Sequence, residues 1–70
     1  MRKVEVKSRM RELRARENLT QEQLAARVDV RRETIGHIEN ARYDPSLTLA
    51  YLISRALNST IEEVFIFRDS

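Results

Sequence analysis

The chain contains no cysteine, and only one glycine, one proline and one histidine among its 70 residues. Without cysteine no disulfide supports the fold and no thiolate-ligated zinc site exists. The sole histidine, His37, has no second histidine or cysteine with which to share a metal. A single glycine, Gly36, cannot build a glycine-rich phosphate loop, and no serine sits in a nucleophile elbow. No apolar run approaches the ~20 residues needed to span a bilayer, and no signal-peptide pattern opens the chain. These absences argue against an enzyme, a metalloprotein and a membrane protein. The expectation is a cytoplasmic protein with no cofactor, no metal and no small-molecule ligand.

Hydrophobic residues make up 41% of the chain and charged residues 34%, a composition that folds. The length suits a single domain, residues 1–70, with one modest core. Net charge is only +2, but it is unevenly spread. Residues 1–32 carry ten Lys and Arg against five Asp and Glu, a net of +5. Residues 33–70 carry three against six, a net of −3. Clustered basic charge suits an anionic partner such as nucleic acid, although a solvated surface face has the same composition.

Local signals divide the chain into strand, five helices, strand. "RKVEV" (2–6) alternates polar and β-branched residues and reads as a strand. Ser8 is placed to cap a first helix that turns Met10 and Leu13 inward and runs to about Asn18. Thr20 and Gln23 have capping-box spacing, and Leu24, Ala25 and Val28 form the stripe of a second helix. A break at Asp29 and Val30 precedes a third helix over 31–40, with Thr34, Ile35 and Ile38 on one side. Asp44 before Pro45 is pushed out of the helical region. Ser46 then caps a fourth helix, whose Leu49, Leu52, Ile53, Ala56 and Leu57 follow the stripe of an amphipathic helix. Thr60 and Glu63 repeat the capping-box spacing around a short helix at 61–63, and "VFIFR" (64–68) has high β-propensity. The predicted fold is mostly α, with two short terminal strands as an antiparallel pair, formed within one chain or between two.

Gly36 stands inside the third helix, where glycine costs about 0.5–1 kcal/mol relative to alanine. At about 100° per residue, with Arg32 at 0°, Gly36 falls at about 40°, Asn40 at about 80°, Glu33 at about 100° and His37 at about 140°. Thr34, Ile35 and Ile38 lie between about 200° and 300°. One face is therefore polar and free of bulky aliphatics. On that face a missing side chain lets the helix approach a partner closely.

The stretch "LTQEQLAARVDVRRETIGHIENARYDPSLTLA" resembles the helix-turn-helix of Cro/C1-type (XRE) regulators, and the resemblance covers nearly the whole chain. Compact length and terminal strands are also similar to small dimeric repressors of that kind. The resemblance implies a sequence-specific regulator of double-stranded DNA. It would be a repressor on a near-palindromic operator, working as a homodimer with helix 31–40 in the major groove. Arg32, Glu33 and His37 match positions that face base edges, and Gly36 lies among them. Arg32 can donate to guanine O6 and N7, Glu33 can accept from cytosine N4, and His37 can donate to a purine N7 or to a phosphate. Gln21 matches a phosphate-gripping glutamine, Asn40 and Arg42 match backbone contacts, and Arg14 with Glu39 matches an ion pair locking the first and third helices. Arg9, Arg11 and Arg16 on the first helix add attraction for DNA or form a solvated face.

Three positions depart from the family pattern. Asp29 replaces the usual glycine after the second helix, and Ala41 replaces the glycine that ends the third. Arg31 stands where serine or threonine usually caps, and is expected to reach a phosphate instead. Leu57, Ile61, Phe65 and Phe67 are the candidates for contact between two copies, with packing inside the subunit as the alternative for the two phenylalanines. A second functional reading is an antitoxin that neutralises a toxin protein and regulates its own operon.

Overall fold

The computed structural model describes residues 2–69. Its elements are β1 (Val4–Ser8), α1 (Met10–Arg16), α2 (Gln21–Arg27), α3 (Arg32–Glu39), α4 (Leu47–Ala56), α5 (Ile61–Val64) and β2 (Phe65–Asp69). The five helices surround one core, and the strands close it as an antiparallel pair within the chain. The register sets Val4 opposite Asp69, Val6 opposite Phe67 and Ser8 opposite Phe65.

Local chemistry starts α2, α4 and α5. The Thr20 hydroxyl accepts from the Gln23 N–H at 3.0 Å, and the Gln23 side chain accepts from the Thr20 N–H at 2.9 Å. Thr60 and Glu63 form the same reciprocal pair at α5, and Ser46 caps α4 by accepting from the Leu49 N–H. Each arrangement satisfies helix-start donors that would otherwise lack a partner. Ser8 acts one position earlier than a cap. It closes β1 and accepts from the Met10 N–H at 2.9 Å, while Arg9 occupies the cap position with no side-chain bond of its own.

The helix ends share one solution. Asn18, Asp29, Ala41 and Asn58, the positive-φ residues among those described, follow α1 to α4 at φ 56°, 61°, 58° and 52°. After each, the next N–H donates back to a carbonyl five residues earlier: Leu19 to Arg14, Val30 to Ala25, Arg42 to His37 and Ser59 to Ser54, at 2.9–3.0 Å. This left-handed closure is usually given to glycine. Asparagine and aspartate enter that region at modest cost, whereas alanine does so poorly.

Met10, Leu13, Leu24, Ala25, Val28, Ile35, Ile38, Ile53, Leu57, Val64 and Phe65 are all buried. Ala25 is the small buried side chain of α2. Three expectations need correction. β1 begins and ends two residues later than the 2–6 span, because its ends follow the register with β2. Leu52 is exposed, because the inward face of α4 runs through Ala50, Ile53, Ser54 and Leu57. The buried Ser54 hydroxyl donates to the Ala50 carbonyl at 2.8 Å, so that face tolerates a serine. Leu57 and Phe65, candidates for contact between copies, are buried within the subunit at 0% and 3% exposure. Leu57 completes the inward face of α4, and Phe65 begins β2 directly over the core. Ile61 is half-buried and Phe67 exposed.

Candidate nucleic-acid interface

α2 and α3 are joined by a tight turn over residues 28–31. Asp29 turns left-handed, the Val30 N–H returns to Ala25, and Val30 packs against the core. Arg31 holds the cap position of α3 in an extended conformation, without a side-chain cap bond. Ile35 and Ile38 pin α3 from inside. Arg32, Glu33, His37 and Asn40 are consequently exposed together, with Gly36 half-buried among them. Arg31 and Arg42 are exposed at the two ends of the same helix.

Nothing inside the subunit demands glycine at position 36. Its φ is not positive, and a Cβ built there meets only Gln21 Nε2, at an ordinary contact distance of 3.8 Å. The chain's single glycine is thus absent from all four left-handed positions and present in a helix that would accept alanine.

Behind this face lies a hydrogen-bonded cluster. The Glu39 carboxylate, with its side chain 1% exposed, accepts from Arg14 Nε at 2.6 Å and from Arg14 Nη2 at 3.2 Å. Gln21 Nε2 donates to Glu39 Oε1 at 3.0 Å, and Gln21 Oε1 accepts from Arg32 Nη1 at 3.0 Å. Arg14 Nη1 also donates to the Leu19 carbonyl. Burial pushes the Glu39 carboxyl up. The bonds from Arg14 and Gln21 and the charges of Arg14 and Arg11 outweigh it and hold the group below the ordinary carboxylate value.

Arg11 belongs to this cluster although the sequence offered no sign of a specific partner. Its Nε lies 3.7 Å from Glu39 Oε1, and its Nη2 donates to Asn40 Oδ1 at 3.4 Å. Arg9 and Arg16 turn elsewhere. Arg9 pairs with Glu12, and Arg16 donates to the Leu57 carbonyl at the end of α4. Helical spacing could have placed Arg11 and Arg14 on neighbouring faces of α1, but not shown that α3 ends beside both.

A bihelical unit that buries its inner faces and leaves a polar second helix open is the arrangement of DNA-binding helix-turn-helix proteins. The family model described as Helix-turn-helix (HTH_3) matches residues 10–64. A relative from Archaeoglobus fulgidus, named as an uncharacterized HTH-type transcriptional regulator, is 55% identical over 62 residues, 89% of this chain and 87% of its own. YgzD of Bacillus subtilis, named likewise, is 43% identical over 60 residues, 86% of this chain and 91% of its own. The crystal structure of the restriction-modification controller protein C.AhdI from Aeromonas hydrophila superposes with a TM-score of 0.73 at 33% identity, covering 79% of this chain and 83% of that one. The chain belongs to the XRE (Cro/C1-type) family of helix-turn-helix proteins and is a DNA-binding transcriptional regulator. Among the described residues no helix is long and apolar enough to cross a membrane.

Proposed function

We propose that the protein is a repressor that binds a near-palindromic operator as a symmetric homodimer, each copy laying residues 31–40 in the major groove of one half-site. The observation that carries this reading is Gly36: the only glycine lies on the open polar face of α3, with no conformational or packing need for it inside the subunit. Close approach to a DNA groove supplies that need. Arg32, Glu33 and His37 then reach base edges beside it, while Arg31, Asn40 and Arg42 at the helix ends reach phosphates. For Arg32 and Glu33 the matching edges are guanine O6/N7 and cytosine N4.

Exposed apolar side chains support the dimer. Leu47 is 79% exposed, Phe67 56% and Tyr51 54%. Leu47 and Phe67 line one open groove, and Tyr51 is stacked one turn along α4 from Leu47. Apolar surface of this kind favours association. With Leu57 and Phe65 committed to the core, Phe67 and Ile61 remain from the original interface candidates.

Selection of bound duplexes from a random pool tests the reading. It should return inverted half-sites centred about one helical turn, ~34–36 Å, apart. Sedimentation should give two copies per operator, and transcription from a promoter overlapping that operator should fall on addition of protein. A single unrepeated half-site would refute the symmetric dimer, and a rise in transcription would refute repression. A small protein co-purifying in stoichiometric amount would favour the antitoxin reading instead.

A further inference from the structure

We propose that Arg11 on α1 and Asn40 at the end of α3 form one composite site for a single DNA backbone phosphate, in which Arg11 also fixes the Asn40 amide. The inference rests on the reading of α3 as the helix that enters the groove. It gives Arg11 a specific contact in place of a general attraction for DNA.

Glu39 carries one negative charge, and Arg14 already meets it with two bonds, at 2.6 and 3.2 Å. Arg11 Nε stands farther off, at 3.7 Å, on a side chain that is 70% exposed. So loose and exposed a pair contributes little to the fold. The positive charge of Arg11 is therefore surplus to the cluster. The Glu39 side chain is 1% exposed, so an anion arriving from solvent meets the arginine and not the carboxylate. This end of α3 needs such a cation if a phosphate is to lie there. The C-terminal end of a helix carries partial negative charge, which opposes an anion.

Arg11 Nη2 donates to Asn40 Oδ1 at 3.4 Å. A guanidinium can only donate, so the amide must offer it the oxygen, which leaves Nδ2 as an outward donor. Among the described residues neither Asn40 Nδ2 nor Arg11 Nη1 has a partner. The Asn40 backbone is fixed from within α3, where its N–H donates to the Gly36 carbonyl at 3.1 Å. Two exposed side chains from two helices thus present donors side by side, one of them charged. A base edge mixes donors and acceptors, whereas the oxygens of a phosphate only accept. The site suits the phosphate, and a charge-assisted bond from Arg11 would be its stronger half.

Salt titrations of affinity on wild type, Arg11→Ala, Arg11→Lys, Asn40→Ala and the double alanine variant provide the test. The duplexes are the selected operator, its single-base-pair variants, and operators carrying one methylphosphonate, which removes one backbone charge at a time. Arg11→Ala should weaken binding to every base-pair variant alike and lower the slope of log affinity against log salt by about 0.9, the share of one phosphate. Arg11→Lys should restore that slope, which a merely structural role would not do. Asn40→Ala should weaken wild type several-fold but Arg11→Ala by less than about twofold, because the amide has then already lost its orientation. The same methylphosphonate should cancel the effects of both single variants. An unchanged slope in Arg11→Ala, a loss confined to one base pair, or two different phosphates for the two residues would each overturn the proposal. The groove reading fails separately: Arg32→Ala with preference intact at every base pair would refute it without any variant at Arg11.

Discussion

Gly36→Ala separates the demands of folding from those of DNA binding. Inside the subunit the new Cβ meets only Gln21 Nε2, at 3.8 Å, so no atom has to move. Alanine in a helix interior is favoured over glycine by about 0.5–1 kcal/mol. For a domain this small, each kcal/mol raises the melting temperature by about 4–8 °C, so the variant should melt roughly 2–8 °C higher than wild type. On DNA the sign reverses. If α3 docks as proposed, a methyl group on the face that carries Arg32, Glu33 and His37 would hold the helix off the groove floor. Loss of even one bidentate base contact costs about 1–3 kcal/mol, or roughly 5- to 150-fold in affinity. Calorimetry of the free protein and fluorescence anisotropy with the selected duplex read the two effects separately. A variant that is both more stable and equally tight on its operator would refute the close-approach argument. A variant that melts lower would mean that the helix already needs glycine for itself.

Four further outcomes follow from the same geometry. Arg14→Ala leaves the Glu39 carboxylate, whose side chain is 1% exposed, with only Gln21 and the more distant Arg11, and should cost up to about 3–5 kcal/mol in denaturant unfolding. Ala41→Gly relieves a left-handed alanine at φ 58°; after glycine's own entropy cost it should gain about 1 kcal/mol, whereas the same change at a right-handed helix position would lose stability. Arg42→Ala should weaken binding to all duplexes alike and reduce the slope of log affinity against log salt by about 0.9, and a selective loss at one base pair would contradict its phosphate role. For pH the sign is set by Glu39, whose folded value lies below the ordinary 4.5. As pH falls past 4.5 the unfolded chain takes up the proton first, so stability present above 4.5 is lost as pH drops through the folded value. Stability against pH should be shallower in Glu39→Gln below that point, with a residual slope from Glu12, Glu17 and Glu63, which are lowered chiefly by Arg9, Asn58 and the Thr60 backbone N–H.

Helix starts and the exposed face of α3 were legible in the sequence because each is set by residues a few positions apart. Thr20 with Gln23, and Thr60 with Glu63, are complete local devices, and both formed as spaced. The left-handed turn at Asp29 was equally readable, as the position where the family pattern has glycine. What was not legible depends on partners far along the chain. The alternation of Val4 and Val6 announced a strand, in which Val6 is half-buried and Val4 exposed. Its ends wait on β2, some sixty residues away, and came out at Val4 and Ser8. Periodicity offered Leu52 and Leu57 alike to one stripe of α4. Only the packing of α4 on the rest of the core, with the buried Ser54 hydroxyl satisfied by Ala50, turns Leu57 in and Leu52 out. Gln21 has the same character: nothing local to α2 shows that its amide lies between Glu39 and Arg32 of the neighbouring helix.

Considered alone, α3 is a poor helix. It lacks a side-chain cap at Arg31, where a capping hydroxyl is typically worth about 1 kcal/mol. It carries Gly36 in its middle, and it ends at a left-handed alanine. Eight residues are also too few for an isolated helix to persist in water. Its order must therefore come from its inner side, where Ile35 and Ile38 enter the core and Glu39 is clasped by Arg14 and Gln21. That division frees the outer side from any duty to stabilise the fold. Arg31 can be basic rather than a cap, and Gly36 can be bare rather than helix-forming. On the proposed reading, Arg32, Glu33 and His37 are then free to be chosen for what they would meet in the groove. If α3 reads the operator as proposed, a helix held from behind in this way could change its outer residues, and so its operator, without losing its place.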